Sequence, residues 1–143
     1  MSTSSPVESK AYLDRRSGVR VSHHFTARFA VDPDHPLRLG QGLTQDLSLR
    51  GVQLLTDIVP DSEKPFDIWI PVDDQEVVAA QARVVWMALE DTYADSQYWL
   101  RVGVNLTCQD REARRLLAGT VARKADLSRA LHEQENSKVS FVF

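Results

Sequence analysis

An alternation of apolar and polar residues, repeated in six short segments, constrains the fold of this chain more than any other feature of its sequence. A period of two places successive side chains on opposite faces of a β-strand, so each segment has one apolar face. Clusters of Pro, Gly, Asp and Ser separate the segments and indicate turns. The predicted strands cover residues 24–31, 37–49, 52–56, 66–72, 76–89 and 99–106. In the longest of them, the residues predicted to share the apolar face are Val78, Ala80, Ala82, Val84 and Trp86.

The pattern changes to a helical one after Cys108. Apolar residues then recur at spacings of three and four among charged side chains, which predicts one amphipathic helix over residues 110–134. These apolar residues are Leu116, Leu117, Val121, Ala125 and Leu131. Closing a sheet removes its exposed strand edges, and a helix can cover the open end. We therefore expect an all-β fold, a small six-stranded antiparallel β-barrel with a C-terminal α-helix.

The length of 143 residues suffices for one domain, and the 43% hydrophobic and 26% charged residues are ordinary for a globular protein. The Ser-rich residues 1–11 carry few large apolar groups, so we expect a disordered N-terminal arm there. The barrel, with the segment leading into its first strand, is expected over residues 12–108, and the helix and tail over residues 109–143. The apolar SFVF at the end of the tail is expected to pack on the barrel, with docking to a partner as the alternative.

The first twenty residues contain no apolar signal segment, and no apolar run reaches the roughly 20 residues of a membrane span, so we expect a cytoplasmic protein without membrane insertion. The single Cys108 agrees, because it cannot form an intrachain disulfide. A net charge of −3 argues against binding to DNA. No cofactor or metal site is expected: His23 and His24 point to opposite faces of a strand, and His35 and His132 have no partner at ligand spacing.

Arginine dominates the basic residues, with 13 among the 17, and three of them crowd together as Arg15, Arg16 and Arg20. The planar guanidinium bonds phosphates and guanine edges bidentately, so this cluster indicates a small anionic ligand. Arg16 and Arg20 form an RxxxR motif. Arg111 and Arg115 form a second RxxxR on the predicted helix, where the spacing places both charges on one solvated face.

Asp46, Ser48 and Gly51 form a DxSxxG motif at the junction of two predicted strands. By itself the motif indicates a turn, because Asp and Ser cap backbone amides and glycine tolerates a positive φ. Preceded by RxxxR in an all-β pattern, however, it resembles the PilZ family of cyclic di-GMP receptors. The resemblance extends to the segments RVVW at 83–86 and RVGV at 101–104, and to the helix that follows. Leu106 departs from it, since many members carry an aromatic residue there.

The resemblance implies a receptor that binds cyclic di-GMP without turning it over and relays the signal to a protein partner. It implies that Arg16 and Arg20 clamp the ligand. Asp46 and Ser48 would line the pocket around one guanine, and Gly51 would keep the turn tight. An Asp carboxylate suits this role because guanine presents N1–H and N2–H₂ donors.

Two further residues belong to the expected site. Arg15, directly before the RxxxR motif, favours two bound nucleotides over one in the family. Trp86 either lies against the ligand or packs in the core. Two alternatives to a receptor remain: a PilZ-like adaptor that binds only protein, and a nucleotide hydrolase, for which the sequence offers no recognisable site that would activate water. Residues 12–20 are expected to become ordered when the ligand binds.

Overall fold

A computed structural model describes residues 19–32, 34–90 and 97–142 of the chain, with the side chains of residues 36, 128 and 132–142 excepted. These residues form seven strands and one helix. The strands are β1 (Val21–Ser22), β2 (Thr26–Asp32), β3 (His35–Leu47), β4 (Gly51–Thr56), β5 (Phe66–Pro71), β6 (Val77–Leu89) and β7 (Leu100–Thr107), and the helix is α1 (Arg111–Val142).

Six of the strands close into a barrel in which every pairing is antiparallel. Their order is β3-β2-β5-β6-β7-β4, and β4 pairs back with β3 to complete the cycle. The short β1 is additional and pairs with the end of β3 through Val21↔Leu47 and Ser22↔Asp46. The predicted fold, a six-stranded antiparallel barrel with a C-terminal helix, is therefore confirmed. The extra strand was not predicted, because two residues are too few to carry a period of two.

The interior of the barrel is filled by alternate residues of the strands, as the sequence pattern predicts. Phe29, Ile68, Ile70, Val78 and Val102 have no exposed surface. Side chains that point inward from all six strands meet there in a single apolar cluster. Such burial is the main source of stability for a domain of this size, at about 25 cal/mol for each Å² of apolar surface.

The first half of α1 packs on the barrel and buries Ala113, Leu117 and Val121. Beyond Ala125, which packs against the core, the helix continues to Val142 rather than ending near residue 134 as predicted. Leu131, predicted on the apolar face, is 53% exposed. The predicted tail is thus part of the helix up to Val142, and the packing of its apolar side chains falls outside the described residues.

His23 joins the segment after Arg20 to the barrel. Its Nε2 lies 2.7 Å from the carbonyl oxygen of Pro71 and donates to it, and its ring stacks on Phe25 with centroids 4.5 Å apart. Lys124 of α1 lies over the ring of Phe25, with its Nζ 5.1 Å from the ring centroid. Burial lowers the pKa of His23, and the nearby Lys124 adds to this, so the imidazole is neutral at pH 7.

Two findings bear on the remaining sequence features. Cys108 is buried at the end of β7, and burial raises the pKa of its thiol, which disfavours the reactive thiolate. Across the described part of the chain, no helix is both long and apolar enough to span a membrane. The predicted arm of residues 1–11 and the residues up to Gly18 lie outside the described residues.

Candidate functional site

A cavity of about 460 Å³ opens on the outer face of the barrel, where β3, β4, β7 and β6 lie side by side. Five residues predicted from the sequence line it: Arg20, Asp46, Ser48, Gly51 and Trp86. Their sequence positions span 67 residues, from 20 to 86, and strand pairing brings them together. The other two predicted site residues, Arg15 and Arg16, lie outside the described residues.

One row of cross-strand neighbours contains four residues that line the cavity, Asp46, Gln53, Gly103 and Trp86. Ser22 pairs with Asp46, Asp46 with Gln53, Gln53 with Gly103, and Gly103 with Trp86. Residues paired in this way share one face of the sheet, with Cβ atoms about 4.5–5.5 Å apart. The carboxylate of Asp46, the amide of Gln53 and the indole of Trp86 therefore lie in one row on the outside of the barrel.

Trp86 owes its outward orientation to a β-bulge. Val84 pairs with Val104 but Trp86 pairs with Gly103, so Val85 is an extra residue in β6 and the alternation reverses after it. Trp86 is consequently 39% exposed, whereas the sequence pattern placed it on the apolar face with Val84. That prediction was wrong, because a period of two does not reveal a bulge.

The indole of Trp86 lies directly on the backbone of Gly103. A Cβ atom at Gly103 would stand 2.3 Å from Nε1 of the indole, far inside van der Waals contact. The absence of a side chain at Gly103 thus lets the ring lie against the sheet. The exposed face of the ring becomes part of the cavity wall.

The DxSxxG segment forms the turn between β3 and β4, and the hydroxyl of Ser48 closes it. Ser48 Oγ accepts hydrogen bonds from the backbone N–H groups of Arg50 (3.2 Å) and Gly51 (3.1 Å), and the Ser48 N–H donates to the Gly51 carbonyl at 2.9 Å. Ser48 is only 5% exposed. It lines the cavity, but its main contacts shape the turn.

Gly51 is required for a different reason from the one the sequence indicated. Its φ lies outside the left-handed region, so no positive φ calls for glycine. Instead, a Cβ atom at this position would stand 2.5 Å from the carbonyl oxygen of Val104 on β7. The glycine therefore allows β4 and β7 to approach closely beside the cavity.

The carboxylate of Asp46 is half-buried and makes no hydrogen bond or ion pair with another described residue. Arg20 and Arg50 line the same cavity. The site therefore offers cationic donors, a carboxylate acceptor and an aromatic plane within one concave surface. This combination suits a ligand with anionic groups and a flat heterocycle that carries N–H donors.

Sequence reasoning missed several lining residues, chiefly Gln53, Asn105 and Thr107. A partial signal existed, because Gly51 and Gln53, like Gly103 and Asn105, are two residues apart and so share one face of a strand. Finding them also required the register between strands that are about fifty residues apart in the chain, which sequence patterns do not supply.

The second RxxxR behaves as the sequence indicated. Arg115 lies on the solvated side of α1 and pairs with Glu112 at 3.0 Å, and both side chains are largely exposed. Arg111 is exposed as well. Among the side chains that the structure describes, no group of three from His, Cys, Asp or Glu is placed to hold a metal ion.

A second cavity, of about 590 Å³, lies elsewhere on the outside of the barrel, over β2, β3, β5 and β6, and was not predicted. Its lining is largely apolar. The residues that line it are Thr26, Arg28, Leu39, Trp69, Pro71 and Val77.

The closed barrel, the terminal helix and the cavity beside a DxSxxG turn together characterise a recognisable type of domain. The family model of the PilZ domain matches residues 14–123, which include both the RxxxR and the DxSxxG motifs. The chain belongs to the PilZ domain family. No curated protein matches the chain in sequence.

Solved structures with the same fold include the PilZ domain with c-di-GMP of YcgR from Escherichia coli, with a TM-score of 0.58 and 15% identity over 80% of this chain and 94% of that one. MotI/DgrA, the Bacillus subtilis inhibitor of motility, gives a TM-score of 0.61 and 11% identity over 78% of this chain and 51% of its own. The PilZ domain of CeSA from a cellulose-synthesizing bacterium gives a TM-score of 0.50 and 18% identity over 78% of this chain and 99% of that one. At these identities the likeness establishes the fold.

Proposed function

We propose that this protein is a cyclic di-GMP receptor, which binds the nucleotide in the cavity beside the DxSxxG turn and does not turn it over. The observation that carries the proposal is the row of Asp46, Gln53, Gly103 and Trp86, with Arg20 lining the same cavity. Membership of the PilZ family and the c-di-GMP complex of the YcgR domain support the choice of ligand.

The chemistry of the ligand matches the side chains of the cavity. Cyclic di-GMP carries two phosphates and two guanines, so it combines anionic charge with flat bases that present N–H donors. Arg16 and Arg20 bind phosphate or the guanine O6/N7 edge, and such charged hydrogen bonds contribute about 1.5–3 kcal/mol each. Asp46 accepts from guanine N1–H and N2–H₂, and Trp86 stacks on a base.

The remaining motif residues serve the site in other ways. Ser48 shapes the turn that presents Asp46 through the hydrogen bonds of its hydroxyl, and Gly51 allows β4 to approach β7 closely at Val104. Arg15 precedes the RxxxR pair, and we expect it to favour a stoichiometry of two nucleotides. Calorimetric stoichiometry tests that expectation directly.

The decisive experiment is a calorimetric titration of the purified chain with cyclic di-GMP. We expect saturable binding that Arg16→Ala weakens by about ten- to a hundredfold, the size of one lost set of charged hydrogen bonds. Arg111→Ala, on the solvated face of α1, is the matched control and should leave the affinity unchanged. Absence of binding would favour an adaptor that binds only protein, and loss of intact nucleotide during incubation would favour a hydrolase.

We further propose that the ligand orders residues 12–20 and thereby changes the surface presented to a protein partner in the cytoplasm. The arginines of this segment repel one another until phosphates neutralise them, and Gly18 lies among them. The hydrogen bond between His23 and the carbonyl of Pro71 anchors the C-terminal end of this segment to the barrel. Hydrogen exchange over residues 12–22 should slow by at least about tenfold at saturating ligand. Equal exchange with and without ligand would contradict this relay.

A further inference from the structure

Arg101 of β7 holds a network at the edge of the cavity. Its Nε donates to Glu90 Oε2 at 2.9 Å, its Nη2 bonds to the same oxygen, and its Nη1 donates to Gln53 Oε1 at 2.8 Å. Glu90 is held in turn, since its side chain is 6% exposed and its N–H donates to the carbonyl of Trp99 at 2.8 Å. Two guanidinium N–H groups on one oxygen of a buried carboxylate hold the half-buried Arg101 in place.

The contact with Arg101 fixes which way the amide of Gln53 faces. Arginine only donates hydrogen bonds, so the Gln53 atom that it contacts must be the oxygen. The amide nitrogen is therefore the remaining polar atom of that side chain, and it donates to no other described residue. Because Gln53 lines the cavity, the site gains a donor with a fixed orientation.

The geometry points to Gln53 as a specificity residue: its Nε2–H₂ donates to the O6 of guanine, and Arg101 positions it for that role. This inference rests on the proposed function. Gln53 is the direct cross-strand neighbour of Asp46, so the carboxylate and the amide stand side by side. Guanine presents N2–H₂ and N1–H donors followed by the O6 acceptor along one edge, and the acceptor–donor pair of Asp46 and Gln53 complements it.

The same pair disfavours adenine. Adenine places an N6–H₂ donor where guanine has O6, so it would face the Gln53 amide with donor against donor. Its N1 is an acceptor and would face the Asp46 carboxylate. A site whose polar groups are left unpaired by the wrong ligand discriminates strongly. The Asp46–Gln53 pair therefore selects cyclic di-GMP over cyclic di-AMP.

The test compares three probes: cyclic di-GMP, cyclic di-IMP, which keeps O6 but lacks the N2 amine, and cyclic di-AMP, which lacks O6. We expect Gln53→Leu to lower the affinity for cyclic di-GMP and cyclic di-IMP about tenfold each, and not to lower that for cyclic di-AMP. Gln53→Glu, which keeps the shape of the side chain and its contact with Arg101, should have the same effects on the three affinities. Gln41→Leu, an exposed glutamine of β3 outside the cavity, is the control and should change none of the three.

Arg101 is tested as a positioning residue. Arg101→Met should reduce the preference for cyclic di-GMP over cyclic di-AMP by severalfold, because the amide is then free to turn. In a Gln53→Leu background the same change should have no further effect on that preference, which a role in folding alone would not predict.

The outcomes separate this inference from the proposed function. If the wild-type chain binds cyclic di-GMP and Gln53→Leu weakens all three nucleotides equally, or none of them, the base-reading role of Gln53 is wrong and the receptor function stands. Additive effects of Arg101→Met and Gln53→Leu on the preference would overturn the positioning role. If the wild-type chain binds none of the nucleotides, both proposals fail.

Discussion

Two cavities open on the outside of the same barrel, and they differ in chemistry far more than in size. The one beside Trp86 measures about 460 Å³ and the one beside Trp69 about 590 Å³. Around Trp86 stand a carboxylate, amides and arginines. Around Trp69 stand mainly aliphatic side chains, with Arg28 as the one charged residue among those lining that cavity.

The difference shows that the neighbours in a cross-strand row decide what a surface tryptophan can do. Trp86 shares its row with Gln53 and Asp46, and it lies on a glycine that gives it room. Trp69 has Arg28 and Ala79 as its cross-strand partners, which supply no carboxylate to orient a base. Both rings offer apolar area, but only the first row also holds a carboxylate beside an amide, the acceptor and donor groups that pair with base edges.

The largest expected difference between the two cavities concerns their arginines. Arg20→Ala should weaken cyclic di-GMP binding by about ten- to a hundredfold, since it removes charged hydrogen bonds worth about 1.5–3 kcal/mol. Arg28→Ala, in the cavity beside Trp69, should change the affinity less than about twofold. Calorimetric titration of both variants measures the contrast. If Arg28→Ala lowered the affinity for cyclic di-GMP more than Arg20→Ala does, the ligand would bind in the cavity beside Trp69, and the proposed site would be wrong.

A pair of glycines provides the next contrast. Gly103→Ala places a Cβ 2.3 Å from Trp86 Nε1, and the exposed indole has to move away. We expect about tenfold weaker binding, because base–aromatic stacking is worth about 1–3 kcal/mol, and little change in melting temperature.

Gly40→Ala, next to Leu39 in the strand that lines the other cavity, is the control for that substitution. Its Cβ would stand 2.9 Å from Cζ of Phe29, which is fully buried, so the change should cost about 1–3 kcal/mol of stability and leave the affinity of the folded protein unchanged. Thermal melts and titrations of both variants decide the matter. If Gly103→Ala retained full affinity, Trp86 would not be a binding surface.

The smallest expected effect concerns His23, which lies between the two regions: it follows Arg20 in sequence and bonds to Pro71 of the second cavity. Burial lowers its pKa in the folded protein, and its buried Nδ1 has no hydrogen-bond partner among the described residues. The unfolded chain therefore binds a proton more readily. Stability is full well above pH 6.5, the ordinary histidine value, and falls as the pH drops below it, by at most about 1.4 kcal/mol per pH unit for one proton.

Urea unfolding between pH 7.5 and pH 5 measures this dependence, in a range where carboxylates remain ionised. His23→Leu should remove it, although the variant loses some stability at every pH. His35→Gln, at an exposed position, should leave it in place. A pH dependence that survived His23→Leu would assign it to other groups.

The fold was predictable from the sequence to a considerable extent because burial imposes a period of two on each strand. Val78, Ala80 and Ala82 face the interior as that period predicts. The same reasoning failed for Trp86, because the bulge at Val85 inserts one residue and reverses the alternation. It failed for Leu131 as well, since the helix continues past the end of the barrel and leaves that side chain exposed.

The candidate site was predictable only where a motif carried it. Arg20, Asp46 and Gly51 were found through their spacing and the family resemblance, and all three line one cavity. Gln53 carries no motif of its own. Its place beside Asp46 depends on the register of β3 with β4, and the orientation of its amide depends on Arg101, which is 48 residues away in the chain. Contacts of this kind arise from closing the barrel, and no local pattern encodes them.

The most direct test of where the nucleotide binds is the NMR spectrum of the indole N–H groups during titration with cyclic di-GMP. The chain has three tryptophans, Trp69, Trp86 and Trp99, and single Trp→Phe variants assign their signals. We predict that the Trp86 signal shifts strongly and saturates at the calorimetric stoichiometry, while the Trp69 signal stays where it is. A shift of Trp69 with an unmoved Trp86 would contradict the account.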